Sequence, residues 1–222
     1  MLKKTLFTIV FLFVIVCQSQ EYFEGEIQYE VEFEALSEHM SAEFMAKEFG
    51  NSFTAYIKED RYALVYNGSG TKGWMKVIIR LDEGCSYTEY EKVPTISKAK
   101  FSPEKNELLL FERNHKEQKN VLGEKCESVT INQRPSEDIP FVKEIKGTYY
   151  FSPKYSLNPE KYKDHQEDYW NKYVEESRAI SIRNETEYSP FFVSTSEAIS
   201  VKQKKMDDSL FEPNPNKEIR SE

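Results

Sequence analysis

The chain has 222 residues, of which 39% are hydrophobic, 14% aromatic and 31% charged, and its formal net charge is −8. Apolar content at that level is too high for a disordered chain and suits a folded, heavily solvated one. An acidic balance with no basic stripe repels phosphate backbones, which excludes nucleic acid as a partner.

The chain opens with Lys3 and Lys4, runs apolar from Leu6 to Val16 apart from Thr8, and then places small residues in Cys17-Gln18-Ser19. This pattern predicts a cleaved signal peptide over 1–19, and therefore an exported protein of the periplasm or the extracellular space. The apolar run is shorter than the roughly 20 residues of a spanning helix, so no transmembrane anchor is expected after cleavage. Acylation of Cys17 is the alternative, disfavoured by the bulk of Val16 just before it. Cleavage removes two lysines and no acid, so the mature chain is more acidic still. Its length suits one domain over 20–212, followed by a polar tail, 213–222, whose two prolines predict fraying.

From Phe23 to Glu34, apolar residues alternate with Glu24, Glu26, Gln28, Glu30, Glu32 and Glu34, the period of a long half-buried strand. Glutamates spaced along one strand do not converge on a cation, so that face reads as solvated. A helix follows, with Ser37 as its expected N-cap and Gly50 as its stop. Leu36, Met40, Phe44, Met45 and Phe49 fall at helical spacing and are the candidate lining of an apolar cavity between helix and sheet, or else ordinary core.

Strand patterns then recur at 52–58, 61–66, 74–81, 85–90, 99–101, 108–113, 125–132, 148–151, 179–183, 191–193 and 198–202. The expected fold is mainly β, a β-rich α+β domain. Its centre is a curved antiparallel sheet or incomplete barrel of about ten strands, with one or two helices packed across it. Asn158-Pro159 begins a polar segment reaching Glu176, which predicts a surface helix or lid whose large apolar groups are Tyr162, Tyr169, Trp170, Tyr173 and Val174.

Cys85 and Cys126 are the pair left after cleavage, and an even pair in an exported chain predicts a disulfide, with two separately buried thiols as the alternative. No third cysteine or neighbouring histidine completes a zinc site, so neither a metal nor a cofactor is expected. The glycines of Gly68-Ser69-Gly70-Thr71-Lys72-Gly73 have dinucleotide-loop spacing but lead into a strand pattern rather than a helix, which makes them a hairpin loop. His39, His115 and His165 lie in unrelated segments with no nucleophile elbow near them, and each reads as a surface histidine. No catalytic residue is assigned. Fourteen tyrosines and fifteen phenylalanines suggest the burial of something apolar, against a well-filled core as the simpler reading.

Several stretches carry a family likeness: Phe23 to Ile27, Tyr56 to Tyr62, Val121-Leu122-Gly123-Glu124-Lys125-Cys126, Tyr149-Tyr150-Phe151-Ser152-Pro153, Thr195 to Ile199, and Asp207 to Pro213. In these the chain resembles exported proteins of unknown function from Gram-negative bacteria, related to the GLPGLI group. That resemblance implies an open antiparallel half-barrel like the outer-membrane lipoprotein carriers, with helices closing an apolar cavity for acyl chains. No catalytic residues come with it. The expectation is a non-enzyme that binds a lipid or another apolar molecule. The alternative is an interaction module that holds another envelope protein and has a dry core.

Overall fold

Period-two patterning governs most of this computed structural model, which describes residues 22–38, 40–136 and 141–221. The predicted signal segment with Cys17, and His39, lie outside the described residues. The elements in chain order begin with β1 (Gly25–Ala35), α1 (Ala42–Phe49), β2 (Ser52–Lys58), β3 (Arg61–Tyr66), β4 (Met75–Arg80), β5 (Cys85–Tyr90) and β6 (Thr95–Lys100). The second half holds β7 (Glu107–Val121), β8 (Glu124–Arg134), β9 (Glu144–Ser156), α2 (Pro159–Tyr162), α3 (Trp170–Ser177), β10 (Ala179–Ser189), β11 (Phe192–Gln203) and β12 (Glu218–Ser221).

All twelve strands form one open sheet in the order β12-β6-β5-β4-β3-β2-β1-β11-β10-β9-β8-β7. The fold is thus mainly β, as expected, but with more strands than the ten predicted. The two short runs near 191 and 198 join as β11, and the tail supplies β12, which pairs in parallel with β6. His115 lies on the long β7 rather than in a loop, exposed and 2.9 Å from Glu127.

Register assigns the two faces of the β2 to β5 half. Tyr56, Ala63, Ile78 and Tyr87 stand in one cross-strand row, and the neighbouring row, Ala55, Leu64 and Val77, points the other way. The first row joins Cys85 and Ile96 in a cluster closed by Met206 and Phe211 from the C-terminal segment. Met206 and Phe211 fall within the predicted domain 20–212, and the tail beyond it, expected to fray, is paired through β12 with β6, so the whole C-terminal segment is held to the sheet. Its composition is polar because its few anchors suffice: Phe211 is fully buried, Lys217 Nζ sits 3.2 Å from the buried Glu89 carboxylate, and Arg80 reaches Glu212 at 3.2 Å.

The other face is concave. Val77 and Ile79 of β4 and Tyr149 of β9 line one shared space although six strand steps separate them, roughly 29 Å in a flat sheet. Only a strongly curled sheet brings them together. The segment after β9 enters this concavity. Asn158 caps α2 by accepting from the Glu160 N–H at 3.1 Å, as predicted, but Tyr162, Tyr173 and Val174 are almost wholly buried. Trp170 and Tyr173 stack at 4.6 Å, and Tyr29 Oη donates to the Ser181 carbonyl at 2.8 Å beneath them. The segment predicted as a surface helix or lid is an inserted plug that buries Tyr162 and Tyr173.

Cys85 and Cys126 are both buried and free, which overturns the disulfide. They sit on β5 and β8, eight strand positions apart, and belong to separate hydrophobic clusters. Counting cysteines reveals parity but not place, and both occupy inward positions that suit a small apolar side chain. Burial raises both thiols, so they are poor nucleophiles in the folded state. A chain of residues 20–222 should yield two titratable thiols after denaturation without reductant and close to none before it. A protein whose mobility changes on reduction would contradict this.

The glutamates of β1 divide. Glu30, Glu32 and Glu34 are solvated as expected, whereas Glu26 is paired with Lys204 at 2.7 Å, a bond that lowers its carboxyl.

Candidate functional site

Two adjoining chambers lie in the concavity, each of about 440 Å3, and they share Phe53, Tyr66, Tyr149 and Asn184 as common walls. Volumes of this size fall within the usual range of small-molecule pockets. The first chamber lies under α1, with Val31, Phe33, Met45, Phe49 and Phe192 among its walls. The second runs toward the plug and is lined by Ile57, Leu64, Val77, Ile79 and Ile180 on its strand side.

Of the five residues predicted to line a cavity, Met45 and Phe49 do so, Met45 almost fully buried and Phe49 about half exposed at the rim. Leu36 and Phe44 face solvent, and Met40 lines neither chamber. The helix is shorter than its apolar spacing suggests because Ser41, not Ser37, caps it, its Oγ accepting from the Phe44 N–H at 3.1 Å. Residues 36–38 and 40 therefore belong to the connection from β1. Gly50 ends the helix at φ 92°, as predicted.

The glycine-rich loop connects β3 to β4 as a hairpin and leads into a strand rather than a helix. It does fasten α1 over the first chamber. The Thr71 N–H donates to the Glu48 carboxylate at 3.1 Å, and a Cβ on Gly70 would fall 2.3 Å from that carboxylate. Glycine is needed at 68, where a Cβ would fall 2.5 Å from the Glu48 backbone carbonyl oxygen, because the helix end docks directly on the loop.

Polar groups collect at the plug end of the second chamber. His165 is only 4% exposed, its Nε2 lies 2.9 Å from Tyr62 Oη, and its Nδ1 has no partner. Burial lowers its pKa to about 4, which keeps the ring neutral near pH 7. This corrects the surface reading of His165. Sequence did hold a signal: His165 follows Tyr162 by three residues, which places both on one side of a helical turn.

Glu167 and Asp168 line the same chamber and are exposed to solvent, so they stand at its mouth. Burial, then Asp168 and Glu104, raise the Glu167 carboxyl. Asp168 is raised by burial despite the hydrogen bond that Gln133 Nε2 donates to it at 2.8 Å. Asp168 and Tyr169 both adopt left-handed backbone, at φ 51° and 60°, where the chain turns from the plug's first half into α3.

No family model and no curated protein matches the chain. Among solved structures, an uncharacterized conserved protein from Thermus thermophilus aligns over 90% of this chain and 91% of its own, at TM-score 0.48 and 7% identity. PNGF-II aligns over 88% of this chain and 31% of its own, at TM-score 0.43 and 16% identity. Likeness at that level carries no argument about this chain.

Among the described residues, no group of three or more histidines, cysteines and acids is placed to hold a metal ion, and no helix is long and apolar enough to cross a membrane. Chemically the plug end offers acceptors and aromatic faces more than catalysis. A histidine with a pKa near 4 is a weak base at neutral pH, and burial holds the Tyr62 hydroxyl well above its ordinary value, so that it stays protonated.

Proposed function

We propose that this protein is a non-catalytic exported binder of a lipid or another apolar molecule, held in the hollow of a half-barrel closed by α1 and the plug. The observation that carries this is the pair of adjoining chambers in the concave face, walled by aliphatic and aromatic side chains. Exposing such walls to an empty hydrated space leaves their transfer free energy unrealised, at roughly 25 cal/mol for each Å2 of apolar surface, and an apolar guest would recover it. A likeness to the lipoprotein carriers fits the open sheet and the inserted helices. The interaction-module reading expects a filled interior, and the chambers count against it.

Native mass spectrometry of the mature chain, purified without detergent, tests the proposal. A bound apolar mass, or uptake of an added one after delipidation, is expected. Protein that emerges bare and then takes up no lipid would refute it.

A further inference from the structure

The plug end of the second chamber speaks to the chemistry of the guest, an inference that rests on the binding role proposed above. Charged residues lining either chamber are all acidic: Glu167 and Asp168 line the second, and among the described residues neither chamber is lined by lysine or arginine. A third acid, Glu104, lies against them, its carboxylate accepting from the Asp168 N–H. Among the described residues no cation acts on either mouth carboxyl; the only stabilising contact is the one from Gln133 to Asp168. Like charges gathered without a counter-ion repel one another, and a cationic guest would relieve that repulsion.

His165 points independently to a ligand. It lines the same chamber, it is buried, and its Nδ1 lacks a partner, an uncommon state for a buried ring nitrogen. Nε2 and Tyr62 Oη share one hydrogen bond, so Nδ1 is left free for a guest: as an acceptor in the tautomer where Nε2–H donates to Tyr62, and as a donor in the one where Tyr62 donates. Aromatic faces complete the surroundings: Tyr62 lies in the wall with His165, and Tyr149 meets Trp170 edge-on at 5.8 Å. Aromatic rings beside carboxylates are a favourable environment for an ammonium group and a poor one for an anion.

We propose that the second chamber selects an apolar molecule with a positively charged amine head, placed against Glu167 and Asp168 while its chain runs toward the first chamber. An acyl chain ending in a free carboxylate is disfavoured, because nothing lining either chamber neutralises it.

Displacement of an apolar fluorophore from the full mature chain by dodecylamine, dodecanol and dodecanoate, each below its aggregation concentration, tests this at pH 7. The amine should bind at least about tenfold more tightly than the alcohol, and the carboxylate most weakly. In the double variant Glu167→Gln, Asp168→Asn the amine should fall to the affinity of the alcohol, with an unchanged far-ultraviolet circular dichroism spectrum as the sign of an intact fold. Alcohol or carboxylate binding as tightly as the amine, or an amine preference that survives the double substitution, would overturn the inference while leaving the binding role standing. Failure of all three compounds would strike the binding role itself.

Discussion

Replacing Phe211 with alanine should lower the free energy of unfolding by about 4 kcal/mol, the typical loss for a fully buried phenylalanine. Phe211 lies on a short 3-10 turn whose start is capped by Asp207, which accepts from the Ser209 N–H at 2.8 Å. From there its ring fills the convex side of β3 to β6, against a cluster that includes Ala63, Ile78, Cys85 and Ile96. Of those strands, β3 and β4 use their other face for the chamber walls, so the C-terminal segment is the cover of this side. Removing the ring leaves a cavity that β-strands tied by ladder hydrogen bonds cannot collapse to fill. Phe211→Leu, which keeps most of the volume, should cost much less. Urea unfolding of both variants measures the difference. A loss below about 1 kcal/mol for the alanine variant would mean that Phe211 does not close this side of the sheet.

The second large effect is a pH dependence carried by His165. Its pKa is about 4 in the folded chain against an ordinary value of 6.5, so the unfolded chain binds the proton more readily. The stability this contributes is fully present above pH 6.5 and is lost as pH falls toward 4, by about 3 kcal/mol for a shift of this size. Glu167 and Asp168 act in the opposite sense. Their carboxyls are raised, so they favour the folded state at low pH and lose that contribution as pH rises through their folded values. Comparison with His165→Gln separates the two, because both acids are present in each protein. Between pH 7 and 4 the wild type should lose about 3 kcal/mol more than the variant. Parallel curves would mean that His165 is solvated in the folded chain.

How much could be read from the sequence depends on how locally each feature is determined. β1 was legible because Phe23 to Phe33 alternate without interruption, and a period of two admits one structure. Gly50 as a helix stop and Asn158 as a cap were legible for the same reason, since capping is a matter of a few adjacent residues. The start of α1 was not, because Ser37 and Ser41 are both competent caps and only the path of the chain after β1 chooses between them. The plug was misjudged because an inserted helix with a wet outer side has nearly the composition of a surface helix, and Tyr173 reveals its burial only through the partners it meets on β9. Cys85 and Cys126 were joined on parity, whereas their separation depends on a strand order that places β11 beside β1 and so puts the second half of the chain on the far side of the sheet. Glu167, Asp168 and Tyr62 escaped notice altogether. They lie on the plug and on β3, about a hundred residues apart in sequence, and only the curl of the sheet joins them at one chamber.

Hollowness of the concave face is the claim on which the functional reading stands, and filling it is the direct test. Val31 lines the first chamber and Val77 the second, both only partly buried, so a larger side chain at either position extends into open space rather than into packed core. Titration of an apolar fluorophore into residues 20–222 should give saturable uptake, and Val31→Trp with Val77→Trp should abolish that uptake while the melting temperature holds or rises. No uptake by the wild type, or a double variant destabilised by the roughly 1–3 kcal/mol typical of an overpacked core, would contradict it.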